Sequence, residues 1–553
     1  MVRVMTVLGV LLAVAAGQTE RWVYRYNGPG NNTDWVSSLV AGADGNIYAA
    51  GESYGTGTSR DFINQDFLVI SLTPSDSERW VYRYNGPGNA TDGASQVVTG
   101  ADGNVYAAGQ SGGSGTYGDF TVVSLTPSGT QRWVYRYNGP GNSGDCARSI
   151  VAGADGNIYA AGQSCGSGTR DDFTVISLTS SGDERWVYRY NGPGDYYDWA
   201  NSIVAGADGS IYAAGMSTGS GTDADFTVIS LTPLGSERWV CRHNGKGNDY
   251  DEAYSIIAGA DGSIYAAGTS YDSMAHYDFT VISLTPSGTV RWVYCYNGSG
   301  NGDDGANSIV AGADGNVYAA GFSRGQGTGG DFTVISLTPT GSERWVYRYS
   351  GPGNDWDVAN SLVVGPDGNV YAAGYSTGSG TDDDFAVISL TASGSERWVY
   401  RYNGPGNSYD DAYSIIADAD GSVYAAGRSI GNVTYYDFTV ISLEPAPTGV
   451  AEAGPPTSNN ALGLAAVTIR NHALDYTLKL PEPATVSLSL CDLQGRKLSS
   501  WQVPAPKGTS QHTRNLSRGH DAESCPLTTG VYFLTAGVPG KKLRASRKLI
   551  TVK

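Results

Sequence analysis

The chain has 553 residues and a formal net charge of −18, yet only 16% of it is charged, against about 25% in ordinary globular proteins. Glycine contributes 77 residues and aromatics 11%; that much aromatic content excludes a disordered polymer, and glycine with Tyr, Val, Ile and Thr reads as short strands joined by tight turns. Residues 461–553 hold 13 Lys+Arg against 5 Asp+Glu, which leaves 22 basic and 48 acidic residues in the remainder. So acidic a surface repels phosphate backbones and argues against a nucleic-acid partner.

The chain opens MVRVMTVLGVLLAVAAGQ, with one cation at Arg3, an apolar run from Val4 to Val14, and small residues at Ala13, Ala15, Ala16 and Gly17. This pattern predicts a secretory signal peptide over residues 1–17, too short and wrongly flanked for a membrane span. No later stretch is long and apolar enough to be a transmembrane segment. The expected location is therefore outside the cell or on its outer surface.

From residue 18 a period governs the sequence. RWVYRYNGPG, first at Arg21 to Gly30, returns with edits and carries Trp22, Trp80, Trp133, Trp186, Trp239, Trp292, Trp345 and Trp398. The first interval is 58 residues and the other six are 53 each. A fixed period of this length predicts a repeat architecture.

The third copy shows what one unit is. WVYRYN (Trp133 to Asn138) alternates as a half-exposed strand, ARSIVAG (Ala147 to Gly153) is a second strand, and NIYAAGQS (Asn157 to Ser164) a third. DFTVISL (Asp172 to Leu178) is a fourth, apolar on both faces. Four antiparallel strands in so short a unit match a β-propeller blade. Ordered from axis to rim as A (SIVAG), B (NIYAAG), C (DFTVISL) and D (WVYRY), the side chains suit a wedge: small residues at the crowded centre, with Trp and Tyr filling the splayed rim. The eight tryptophans are structural in this reading. The region starts with a lone D strand, Arg21 to Tyr26, and ends with A, B and C of a last unit, Ala412 to Leu443. The expected fold is all-β, an eight-bladed β-propeller over 18–443. Its N-terminal outer strand and three C-terminal strands share one blade, which removes exposed edges.

The unit D-x-A-x-S-I-V-A-G-A-D-G-N-I-Y-A-A-G … D-F-T-V-I-S-L-T-P-S-G … W resembles the SBBP type of bacterial β-propeller repeat over residues 21–443. That family is named for seven blades, where this chain counts eight. The resemblance implies an exported or surface protein and no defined ligand.

EPAPTGVAEAGPPTSNN (444–460) reads as a Pro/Gly-rich, semi-rigid linker. Beyond it composition turns basic and the period stops. Tyr476 to Leu498 alternates over two strands, and Leu527 to Gly537 and Ser546 to Lys553 supply two more. A small Ig-like β-sandwich over 461–553 is expected. It resembles the C-terminal sorting domains of type IX secretion substrates through Asp492, Gly495, Arg496, Leu527, Gly530, Val531, Tyr532, Lys548 and Leu549, with Gln511 to Pro526 as an insertion. The resemblance implies type IX secretion machinery as a partner, and cleavage or anchoring at the surface.

Six cysteines suit an oxidising compartment without forming a dense framework. Cys146 and Cys165 flank the Asp155-Gly156 turn symmetrically. A two-residue hairpin loop would set them opposite each other and allow a cross-strand disulfide; two drifted loop positions are the alternative. Cys241 and Cys295 sit on D strands of neighbouring copies with opposite parity and are expected unpaired.

Three aspartates recur in every unit: Asp34 to Asp410 in the loop between D and A, Asp44 to Asp420 in the A–B turn, and Asp66 to Asp437 at the start of C. Calcium wants six to eight oxygens, mostly from one short segment, and only Asp418-Ala419-Asp420-Gly421 approaches that. Capping of backbone amides and local pairing with arginine explain them better, so no metal or cofactor is expected. Catalysis has little to build on. The histidines are 243, 276, 472, 512 and 520, and no nucleophile elbow, Cys-x-x-Cys or His-Glu-x-x-His occurs. The enzymatic alternative is a quinoprotein-like oxidoreductase on an eight-bladed propeller. Those enzymes use specialised blades with adjacent cysteines, which this chain lacks.

The expected role is thus a non-catalytic binding or structural module for an extracellular glycan or protein. The loops between A and B and between C and D are nearly uniform, whereas those between D and A and between B and C vary. Trp35, Tyr196, Tyr197, Trp199, Tyr250, Trp356 and Tyr409 stand in the variable set, with Tyr54, Tyr271 and Arg324 nearby. Aromatics beside carboxylates suit stacking on sugars or anchoring a protein; drift of tolerant loops is the alternative. The site is expected off-centre, near Trp199 and Tyr250.

Overall fold

A computed structural model describes residues 20–55, 65–272, 276–432 and 434–444, and seven further strands between 463 and 551. The leader at 1–17 and the linker from 445 to 460 lie outside the described residues, as do Gly495, Arg496 and Leu527. The chain forms two compact units, 1–448 and 449–553. Among the described residues there is no helix, and so none long and apolar enough to cross a membrane.

The first unit is an eight-bladed β-propeller of four-stranded antiparallel sheets. Blade 1 runs A Asp34–Ala41, B Ile47–Tyr54, C Gln65–Leu72 and D Glu78–Tyr84, and blades 2 to 7 repeat it. Blade 8 takes A, B and C from Asp410–Ala417, Val423–Ile430 and Tyr436–Leu443. Its D strand is Glu20–Tyr26, paired antiparallel with Tyr436–Leu443 so that Trp22 faces Ser442 and Tyr26 faces Phe438.

The core is not inside the blades but between them. Strand C alternates its apolar side chains to the two neighbouring blades, so eight separate clusters form among the described residues, one at each junction. The junction of blades 8 and 1 joins Tyr424, Phe438 and Val440 to Val36, Ile47 and Ile70, all fully buried, with Trp22, Tyr24 and Tyr26 packed against them. At the rim each D strand reaches forward. Trp80 donates its indole N–H to the Pro127 carbonyl at 3.0 Å, and Tyr82 donates to Gln131 at 2.8 Å. At the centre the strand-A serines do the same work: the Val97 and Ile203 N–H groups donate to Ser38 and Ser149 of the preceding blades.

Two features correct the sequence reading. The turn between A and B spans five residues, Gly42 to Asn46, with Asp44 accepting the Asn46 N–H and the Tyr48 hydroxyl. Each strand A also carries a bulge, at Ser37 in blade 1 and Arg148 in blade 3. The bulge presses strand A onto strand B, and only glycine fits there: a Cβ on Gly51 would stand 1.9 Å from the Trp35 carbonyl oxygen. The wider turn sets Ala152 opposite Ile158, and the bulge then sets Cys146 opposite Gln163 rather than Cys165. The disulfide does not form; Cys146, Cys165, Cys241 and Cys295 are all free thiols.

In the second unit one sheet has three strands, in order Gly463–Arg470, Ala473–Leu480, Gly508–Asn515. The other has four, in order Lys497–Ala505, Ala484–Asp492, Gly530–Gly537, Arg544–Thr551. Seven strands replace the four expected. Gly508–Asn515 takes up the start of the stretch read as an insertion. Its sequence, GTSQHTRN, has no apolar alternation, and among the described residues it pairs along one edge only, with Ala473–Leu480.

Candidate functional site

The recurrent polar residues form a scaffold. Asp34 is fully buried at the start of strand A. One carboxylate oxygen accepts the Gly28 N–H at 2.7 Å and the other the Tyr54 N–H at 3.2 Å, tying the D–A loop to the end of strand B. Burial raises this carboxyl to about 6, and the donors oppose the rise. Arg83 of strand D reaches Asp66 of strand C at 2.6 Å and also donates to Tyr26 of the preceding blade. The three aspartate series are thus capping and ion-pairing groups, and among the described residues no cluster of ligands could hold a metal ion.

Blade 5 breaks the scaffold. Cys295 stands where the other blades have the strand-D arginine, opposite Thr280. Burial, with Asp272 and Asp304 adding to it, raises the carboxyl of its neighbour Asp278 to about 6.

Against this uniform frame, differences concentrate at one end of the strands. The cross-strand pairs there are Trp35–Glu52, Gly93–Gln110, Cys146–Gln163, Trp199–Met216, Glu252–Thr269, Gly305–Phe322, Val358–Tyr375 and Asp411–Arg428. The bulged residue beside them varies too: Ser37, Ser95, Arg148, Asn201, Tyr254, Asn307, Asn360, Tyr413. A bulge re-aims one side chain per strand. Each blade therefore presents its own three residues at the D–A and B–C face, on the two innermost strands. The strand-B and bulge positions were missed from sequence. Aligning the copies shows them as variable columns inside otherwise uniform strands.

Four of the anticipated aromatics come together at blades 4 and 5, but two of them are occupied internally. Trp199 and Tyr250 donate to the buried Glu252 carboxylate at 2.6 and 2.5 Å, and Asn201 donates at 2.7 Å. Arg148 stacks on Trp199, 4.9 Å from the ring centroid, and binds Asn201 and Gln163. Tyr196, 45% exposed, and Tyr197 share the Arg170 guanidinium at 5.3 and 5.5 Å. Trp35 is half-buried opposite Glu52, whose carboxyl burial raises to about 7. Trp356, 38% exposed, packs edge-on against Phe322.

Tyr409 lies elsewhere, on a cavity of about 340 Å³ between blades 7 and 8. Asn360, Tyr375 and Asp383 line it from blade 7; Tyr409, Asp411, Tyr413, Arg428 and Tyr436 line it from blade 8. Arg428 is held by Asp411 at 2.7 Å and lies 4.2 Å over the Tyr436 ring. Burial, then Asp383 and Asp411, pushes the Tyr375 hydroxyl up to about 12. The cavity combines aromatic rings, carboxylates, an amide and a guanidinium, groups that can grip a polyhydroxylated ligand.

No family model matches the chain, and no curated protein matches it in sequence. Solved structures resemble it in fold at low identity. A fungal alcohol oxidase of the AA5 family, solved with copper, is 14% identical, with 97% of this chain and 100% of that one covered and a TM-score of 0.37. A protein of unknown function from Dyadobacter fermentans is 11% identical, with coverage of 78% and 100% and a TM-score of 0.39. PorZ, a surface component of the type IX secretion system of Porphyromonas gingivalis, is 12% identical, with coverage of 94% and 86% and a TM-score of 0.24. These neighbours differ in function among themselves.

Proposed function

We propose that this protein is a secreted or surface-displayed bacterial β-propeller that binds an extracellular glycan without chemically altering it. One observation carries the reading: differences among eight near-identical blades concentrate on one face of the innermost strands, where a cavity lined by four tyrosines, two aspartates, an asparagine and an arginine opens. Its size, about 340 Å³, falls within the usual range for small-ligand sites. In this reading the blades repeat an SBBP-type unit. The basic C-terminal unit is a small sandwich that engages type IX secretion machinery, as its resemblance to sorting domains implies. The leader directs export.

A glycan array probed with the full chain tests the proposal. Retention of at least one carbohydrate, lost on Tyr409→Ala or Tyr436→Ala without a fall in melting temperature, is the expected result. Retention of no carbohydrate would refute it.

A further inference from the structure

We infer that the cavity between blades 7 and 8 selects an amino sugar carrying a free ammonium group. This rests on the glycan-binding reading and names the ligand's chemistry. Asp383, at the start of strand C in blade 7, accepts a hydrogen bond from Thr377 at 2.8 Å. Among the described residues no basic side chain forms an ion pair with it, and the carboxylates of Asp411, Asp382 and Asp355 lie near it. The cation lining the cavity, Arg428, is already matched by Asp411 at 2.7 Å and seated on Tyr436. One carboxylate is therefore in surplus, in a cavity that Tyr375 and Tyr409 also line.

A ring face and a carboxylate together favour an ammonium group, and tyrosine also stacks on the apolar face of a sugar. A lysine side chain would leave most of the 340 Å³ unfilled. A hexose ring fills more of it and offers hydroxyls to Asn360 and Arg428. The acidic balance of the first 460 residues, 48 carboxylates against 22 basic groups, would draw in such a polycation over distance.

The test is calorimetry on the full chain with three probes: a glucosamine oligomer, the N-acetylated oligomer of equal length, and a lysine-rich peptide. The glucosamine oligomer should bind most tightly. Acetylation, or Asp383→Asn, should each weaken binding about 10- to 100-fold, the range for losing a hydrogen bond between charged groups. Asp383→Glu should retain it, and Tyr409→Ala should weaken both sugars. Equal binding of the two oligomers, or no effect of Asp383→Asn, would overturn the amine assignment and leave the glycan reading standing. Preference for the peptide would overturn it in favour of a protein ligand, and loss of all carbohydrate binding would remove both.

Discussion

The Ser414 hydroxyl accepts the backbone N–H of Leu39 at 3.0 Å, across 375 residues of sequence. It is the same contact that Ser38 makes with Val97 and Ser202 with Ile256 in the interior of the ring. The seam between first and last blades is therefore bonded at the centre like the junctions of blades 1 with 2 and 4 with 5, while Trp22 and Tyr24 of strand D in blade 8 bond it at the rim through Pro74 and Glu78 of blade 1.

Removal of residues 20–26 tests how much that rim strand contributes. It strips Trp22, Tyr24 and Tyr26 from the cluster between blades 8 and 1 and leaves strand C of blade 8 as a bare edge. Each large apolar side chain lost is worth about 1.5–3 kcal/mol, so chemical denaturation should register a loss of several kcal/mol. A midpoint equal to that of the intact chain would contradict the closure.

Trp199 and Tyr250 behave as structural residues in this arrangement. Tyr250→Phe removes a donor from the buried Glu252 carboxylate and should cost about 1.5–3 kcal/mol, the range for a hydrogen bond to a charged group. Tyr196→Ala, at an exposed position, should leave the melting temperature unchanged. Equal thermal shifts in both variants would contradict the network.

Cys295→Arg should restore in blade 5 the ion pair that Arg83 makes with Asp66 in blade 1. Asp278 is raised to about 6 in the folded chain from an ordinary 3.8, so the folded state holds its proton more tightly than the unfolded one. Stability from this group is therefore lost as pH rises between those values. The variant should melt higher at pH 7 and show a weaker loss over that window in thermal scans.

Glu52 gives a second pH signature by the same reasoning. Burial raises it from 4.5 to about 7 beside Trp35 and Gly93, whose missing side chain leaves room for the carboxyl. Glu52 should contribute a loss of stability as pH climbs from 4.5 to 7, and Glu52→Gln should flatten the slope, most visibly between pH 6 and 7 where Asp34 and Asp278 contribute least. An NMR titration placing the carboxyl at its ordinary value would contradict the burial.

Much of this molecule was legible in its sequence because the sequence repeats itself. Periodic Trp, Asp-Gly turns and the DFTVISL run set the blade, its four strands and the number of copies, since each is a local preference stated eight times over. The capping role of Asp34 and the arginine pairing of Asp66 followed from their settings in a loop and beside arginine. What required the tertiary structure was register and neighbourhood. The wider turn moved the partner of Cys146 one residue along strand B, from Cys165 to Ser164, and the bulge moved it one more, to Gln163; no hairpin count anticipates the second step, because the bulge depends on how closely strand B's glycine lets strand A approach. The variable face could be read by comparing the copies, but not which of its aromatics are free. Trp199 and Tyr250 both donate to Glu252, from 53 and 2 residues away in sequence. Tyr409 gains a cavity only because Tyr375 and Asp383 approach from the adjacent blade. The Trp199–Glu252 bond and the cavity join residues from different copies, and a repeat sequence specifies each copy's own strands far better than what its neighbour places against them.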